Sequence, residues 1–204
     1  FTSWDAMGKW YSEMAAGRSI LPENYKTEIK EQIKNETDKH KIIGLLYDYL
    51  LDKTRYVAIE MGIAGLQPQK AGEVHINRYG DCKDLSTYMI AMLDVAGIKA
   101  YPALALPRKY GIVDSSFVND CFNHLIAVVP LENEDIWLEC TAKHINYYDT
   151  PHSIEGIYAL VVKENGGELV KTPVKESVYN KGISKFTGKC EDNDFVFNLE
   201  YNLT

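Results

Sequence analysis

Apolar residues recur at helical spacing through the first half of the chain and alternate through the second. Trp4, Met7, Trp10, Tyr11 and Met14 share one face of a helix that Gly17 can end. Pro22 can start a second, more polar helix reaching about residue 34, and a third over about 38–51 carries Ile42, Ile43, Leu45, Leu46, Tyr49 and Leu50 as its apolar stripe. Leu85, Tyr88, Met89, Met92, Leu93 and Ala96 mark a fourth, with Asp81 placed to cap it and Gly97 to close it. Between them lie a short strand candidate at Tyr56-Val57-Ala58-Ile59 and a Gly- and Pro-shaped loop over 62–69. From Ile98 the period changes, and 99–106, 122–130, 135–141, 157–162 and 168–173 read as successive strands. Helices first and strands second predict an α+β fold with an antiparallel sheet.

The alternation Phe195, Phe197, Leu199, Tyr201, Leu203 resumes after a polar stretch over 176–189. We therefore expect a core over 1–175, followed over 176–204 by a linker and the start of a further β domain. With Phe1 first and a strand pattern running to the last residues, the chain reads as a piece of a longer protein. A composition of 46% hydrophobic and 25% charged residues is that of an ordinary globular domain. The net charge of -7, with scattered Lys and Arg, argues against nucleic acid or an anionic membrane as principal partner. The longest apolar runs, such as 125–130 and 157–162, are too short to span a bilayer. Cys82, Cys121, Cys140 and Cys190 are too widely spaced for a disulfide framework, and without a Cys-x-x-Cys pair they call for no metal. A bridge between Cys121 and Cys140 is the one conceivable pairing, packed free thiols being the simpler reading.

Candidate chemistry gathers on Tyr79-Gly80-Asp81-Cys82-Lys83-Asp84, a turn that delivers a cysteine to the first turn of a helix. A thiol there meets unpaired backbone N–H groups and the positive end of the helix dipole, which favour its thiolate. The alternative is a small packed thiol. A nucleophile needs a base and a group to orient that base. Of five histidines, His40, His144 and His152 read as surface residues and His75 has no evident partner, whereas His124 opens the apolar strand after Phe122 and Asn123. Alternation puts Trp137 and Glu139 on one face of the following strand, so Glu139 can stand beside His124, while Cys121 and Cys140 point to the other face. Cys82 as nucleophile, His124 as acid and base, and Glu139 as orienting acid form a complete acyl-transfer set, helped by the Cys82 N–H at the oxyanion. A satisfied core histidine and an edge carboxylate are the plain alternatives.

Chain order and landmarks extend beyond these residues. Lys53-Thr54-Arg55-Tyr56-Val57, Gly65-Leu66-Gln67-Pro68, Arg78 through Asp84, Phe122-Asn123-His124 and Trp137-Leu138-Glu139-Cys140-Thr141 resemble the successive landmarks of the transglutaminase-like branch of the papain-like superfamily. The likeness is greatest to bacterial exported proteins in which this core is flanked by β domains. It implies a papain-like core with the cysteine helix packed on the sheet, and acyl transfer through a cysteine thioester without a cofactor. The substrate would be a peptide or protein, possibly glycan-linked, outside the cytoplasm. It also implies oxyanion and substrate-binding roles for Gln67, Asn123 and Trp137. The chain departs from the family in carrying Glu139-Cys140 where aspartate and proline are usual, so its acid is one methylene longer. A catalytically weak module that binds peptide or glycan is the alternative function.

Overall fold

The computed structural model describes residues 1–175, 182–191 and 194–203. These residues form two units, Phe1–Pro173 and Val174–Thr204. The first is an α+β domain, as its sequence pattern predicts. Helix α1 (Trp4–Met14) is capped by Ser3, whose hydroxyl accepts the Ala6 N–H at 3.0 Å. Helices α2 (Glu23–Ile33) and α3 (Lys39–Lys53) follow, the latter capped by Asp38, which accepts the N–H groups of His40 and Lys41. A parallel pair of two-residue strands, β1 (Arg55–Tyr56) and β2 (Tyr79–Gly80), brackets a 3₁₀ turn at Gly62–Gly65 and helix α4 (Ala71–Asn77). Helix α5 (Cys82–Val95) begins directly after β2.

The remaining strands of this unit are β3 (Tyr101–Ala105), β4 (His124–Pro130), β5 (Asp135–Leu138), β6 (Tyr158–Lys163) and β7 (Gly166–Lys171). They form one antiparallel sheet in the order β5-β4-β3-β6-β7. Because side chains alternate, Ala127, Val129, Ile136, Leu138 and Cys140 pack toward α3 and α5, against Leu46, Leu50, Tyr88, Met89 and Met92. Ala103, Ile126, Val128, Trp137, Ala159 and Val161 form a second core on the opposite face with Ile154. The central strands are therefore apolar on both sides, which is why 125–129 reads as an unbroken apolar run.

Helix α1 reaches the far end of the sheet through glycine. A Cβ at Gly8 would lie 2.3 Å from the Gly167 Cα, so helix and strand meet backbone to backbone. Gly8→Ala gains roughly 1 kcal/mol of helix propensity but must push α1 off β7, which costs about 1–3 kcal/mol or more. A lowered midpoint in thermal denaturation is expected. An unchanged or raised midpoint would show that the helix can withdraw freely.

Three expectations need correction. Helix α4 falls just beyond the shaped loop over 62–69, where no element was expected. His75 on it is buried, with Nδ1 at 2.9 Å from the Tyr88 hydroxyl and Nε2 at 3.3 Å from Glu28. Arg78, at φ 59° in the left-handed region, completes this cluster by donating to Tyr49 and Glu28, and so anchors the start of the cysteine turn. Residues 182–189, read as linker, lie within strand β8 (Gly182–Glu191), which pairs with β9 (Asp194–Leu203) as an antiparallel hairpin in the second unit. The rest of the expected linker, 176–181, lies outside the described residues. All four cysteines are free, with Cys140 in the core and Cys190 exposed.

Candidate active site

The cysteine turn is fixed from both sides. The N–H groups of Arg55 and Val57 donate to the carbonyls of Arg78 and Gly80 at 3.1 and 2.9 Å, which sets the height at which α5 begins. Gly80 has no alternative, since a Cβ there would lie 2.5 Å from the Asp84 Cβ. Asp81 Oδ1 accepts the N–H groups of Lys83 (3.1 Å) and Asp84 (3.3 Å), while Asp84 accepts the Asp81 N–H at 3.1 Å, a reciprocal cap. Gln69 holds Asp84 in turn, with its backbone N–H and side-chain amide on the two carboxylate oxygens at 2.8 and 2.9 Å. Asp81 is almost fully buried and Lys83 donates to its carboxylate. Burial pushes the Asp81 carboxyl up, with the Lys83 bond opposing. Cys82 is thereby held as the first helical residue, half-buried, with a backbone N–H that has no acceptor inside the helix.

His124 opens β4, paired with Ala105, and Ser86 of α5 donates to the neighbouring Leu125 carbonyl at 3.1 Å. Its Nε2 lies 2.7 Å from Glu139 Oε2. Glu139 follows β5 and is 5% exposed, so its second oxygen needs partners of its own. Thr141 supplies them, donating its N–H at 3.0 Å and its hydroxyl at 2.6 Å to Oε1. Tyr47 of α3 donates to the Glu139 carbonyl at 2.6 Å, which fixes the backbone as well. The longer acid thus fits: Thr141 draws one oxygen back while the other reaches the imidazole. With Nε2 committed to Glu139, Nδ1 is the ring nitrogen left for Cys82.

Burial works against a charged His124, but hydrogen bonding to Cys82 and Glu139, together with their negative charge, outweighs it and raises the imidazole to about 10. Burial likewise opposes the Glu139 charge, and the imidazole and Thr141 overcome it, leaving the carboxyl below its ordinary value. Burial pushes the Cys140 thiol far up, in keeping with a structural role on the core side of β5.

Cys82, Asn123 and His124 sit where two clefts meet. One, of about 270 Å³, runs between Trp10, Tyr11, Leu66 and Phe122. The other, of about 290 Å³, runs past Tyr56, Lys109, Tyr110, Glu139 and Thr141. The thiol therefore has a groove on each side. Larger hollows of about 390 and 440 Å³ lie elsewhere, lined by neither Cys82 nor His124.

The structure brings Cys82, His124, Glu139 and Asn123 together. It does not bring Gln67 or Trp137 to them. The Gln67 amide donates to the Met14 carbonyl at 2.8 Å and its oxygen accepts from Arg18 at 2.6 Å, so it ties its loop to the end of α1. Trp137 is buried in the second core, behind the sheet. Thr141, Tyr47 and Tyr11 belong to the site or its support and were not read from the sequence. Only Thr141, two residues beyond Glu139 within the same landmark, carried a local signal.

Fold and geometry define a class: an α+β domain that presents a cysteine on a helix N-terminus to a histidine at a strand end, backed by a buried acid. Among solved structures the chain resembles a candidate protease from Parabacteroides distasonis, with a TM-score of 0.60 at 16% identity over 81% of this chain. It spans 31% of that protein's length. A candidate cysteine protease from Cytophaga hutchinsonii aligns at 12% identity, with a TM-score of 0.48, over 65% of this chain and 41% of its own. The first likeness shows a shared fold. No family model and no curated protein sequence matches the chain.

Proposed function

We propose that this domain performs cysteine-dependent acyl transfer on an amide substrate, in the manner of the transglutaminase-like branch its landmarks resemble. The observation that carries this is His124, bonded to a buried carboxylate through Nε2 and lining both clefts together with Cys82. Cys82 and His124 share one proton, which sits on Nδ1 of the raised imidazole as the sulfur adds to the carbonyl carbon. The Cys82 N–H supports the oxyanion, and the imidazolium returns the proton to the departing amine as the thioester forms. An amine or water then attacks the thioester, giving transamidation or hydrolysis. The two grooves suit a peptide or protein chain, and the resemblance to exported bacterial proteins favours a substrate outside the cytoplasm.

Mass spectrometry of Cys82 after incubation with glutamine-containing peptides tests this reading. The expected adduct carries the peptide less ammonia, and an added primary amine resolves it if the enzyme is a transferase. Absence of any adduct on protein whose Cys82 still reacts with iodoacetamide would leave a binding module.

A further inference from the structure

One buried polar side-chain atom among the described residues lacks any partner, the hydroxyl of Tyr11. Such a group forgoes about 1–3 kcal/mol of hydrogen bonding, so it asks for an explanation. Its position supplies one. Tyr11 is 4% exposed, it lines the same cleft as Cys82, and Cys82 packs against the small cluster that Tyr11 forms with Leu125 and Val162. Phenylalanine would fill the same space without the unpaired oxygen.

We propose that Tyr11 is a positioning residue whose hydroxyl is the hydrogen-bond donor reserved for the Cys82 sulfur once that sulfur carries negative charge. The inference deepens the acyl-transfer reading and rests on it. A neutral thiol is a weak acceptor and a thiolate a strong one. With the shared proton on Nδ1 of His124, the sulfur lone pair accepts the Tyr11 O–H. No bond other than S–H breaks and no other proton is displaced. Both groups line one poorly solvated wall of the cleft, where a charge-assisted bond is worth more than in water. Burial, with the negative charge of Cys82, Asp81 and Asp84 adding to it, pushes the phenol far up, so Tyr11 remains a donor throughout the working range.

Other charged groups face this sulfur, and the test must separate Tyr11 from them. At the start of α5 stand Asp81 and Asp84, with Lys83 spent on Asp81. His124 faces the sulfur from β4, and Glu60, Asp120 and Lys109 stand farther out along the two clefts. None of these changes in Tyr11→Phe.

The experiment compares alkylation of Cys82 by iodoacetamide across pH in the wild type and Tyr11→Phe, alongside thermal denaturation. The expected result is a profile displaced to higher pH, with the rate at pH 6 lowered roughly tenfold for a lost hydrogen bond to a charged group, and no loss of thermal stability. Replacing Tyr11 with a ring-fluorinated tyrosine, which keeps the packing and strengthens the donor, should displace the profile the other way. Superimposable profiles for all three proteins would overturn the proposal. The acyl-transfer reading is judged separately, on the wild-type profile alone: Cys82 reacting no faster than the exposed Cys190 would remove that reading, while the differences among the three profiles still decide the role of Tyr11.

Discussion

Cys82→Ala and His124→Ala each abolish adduct formation and lower amide turnover by roughly three to six orders of magnitude, and the double variant is no worse than either alone. The non-additivity follows from the geometry. Without the sulfur the imidazole has nothing to deprotonate; without the imidazole the sulfur keeps its proton and the departing amine receives none. Stability separates the two variants. Cys82 is half-buried and small, so its truncation leaves the melting midpoint near the wild-type value. His124→Ala leaves the 5% exposed Glu139 carboxylate with Thr141 alone, an uncompensated buried charge that costs on the order of a few kcal/mol. Turnover by titration of product amine and melting by circular dichroism check both outcomes. A double variant much slower than each single one would mean that the two residues do not act as a unit.

Glu139→Gln lowers turnover by about two to four orders of magnitude and narrows the active range from its alkaline side. His124 is raised from its ordinary 6.5 to about 10 by Cys82 and Glu139 against the effect of burial. Removing the carboxylate charge lets burial dominate, so the imidazolium that must protonate the leaving amine is lost at lower pH. The same shift governs stability. A histidine whose folded-state value is raised stabilises the fold fully below 6.5, and that contribution disappears as pH climbs through about 10. Glu139, held below its ordinary 4.5, contributes above that value and loses its contribution as pH falls through the depressed one. The wild type should therefore melt progressively lower between pH 6.5 and 10, and Glu139→Gln should show a flatter curve there. Parallel curves for the two proteins would show that the carboxylate does not govern the imidazole.

Sequence periodicity was a good guide where packing is one-sided or strictly alternating. The α5 stripe, the cap at Asp81 and the antiparallel β4–β5 pair were legible, and with them the approach of Glu139 to His124. What escaped was local structure set by distant partners. The seven-residue α4 has little apolar stripe of its own, and Tyr88 and Glu28 give His75 its place. The glutamine of the Gly65-Leu66-Gln67-Pro68 landmark resembled an oxyanion donor because motif likeness says nothing of the Arg18 and Met14 groups that capture its amide. Tyr11 read as one more member of a buried stripe, since an unpaired hydroxyl leaves no trace in a hydropathy pattern.

The backbone contact between Gly8 and Gly167 has a consequence for biosynthesis. Helix α1 walls the cleft beside Cys82, yet the surface it docks on is made late: Ser12 donates to the Glu164 carbonyl across 152 positions of chain, and Gly167 lies farther still. Contacts this distant in sequence close late, and a chain emerging from the ribosome holds Cys82, His124 and Glu139 well before β7 exists. A nascent chain stopped ahead of residue 166 should thus carry Cys82, His124 and Glu139 with one wall of the cleft still missing, and synthesis of β7 would complete the cleft.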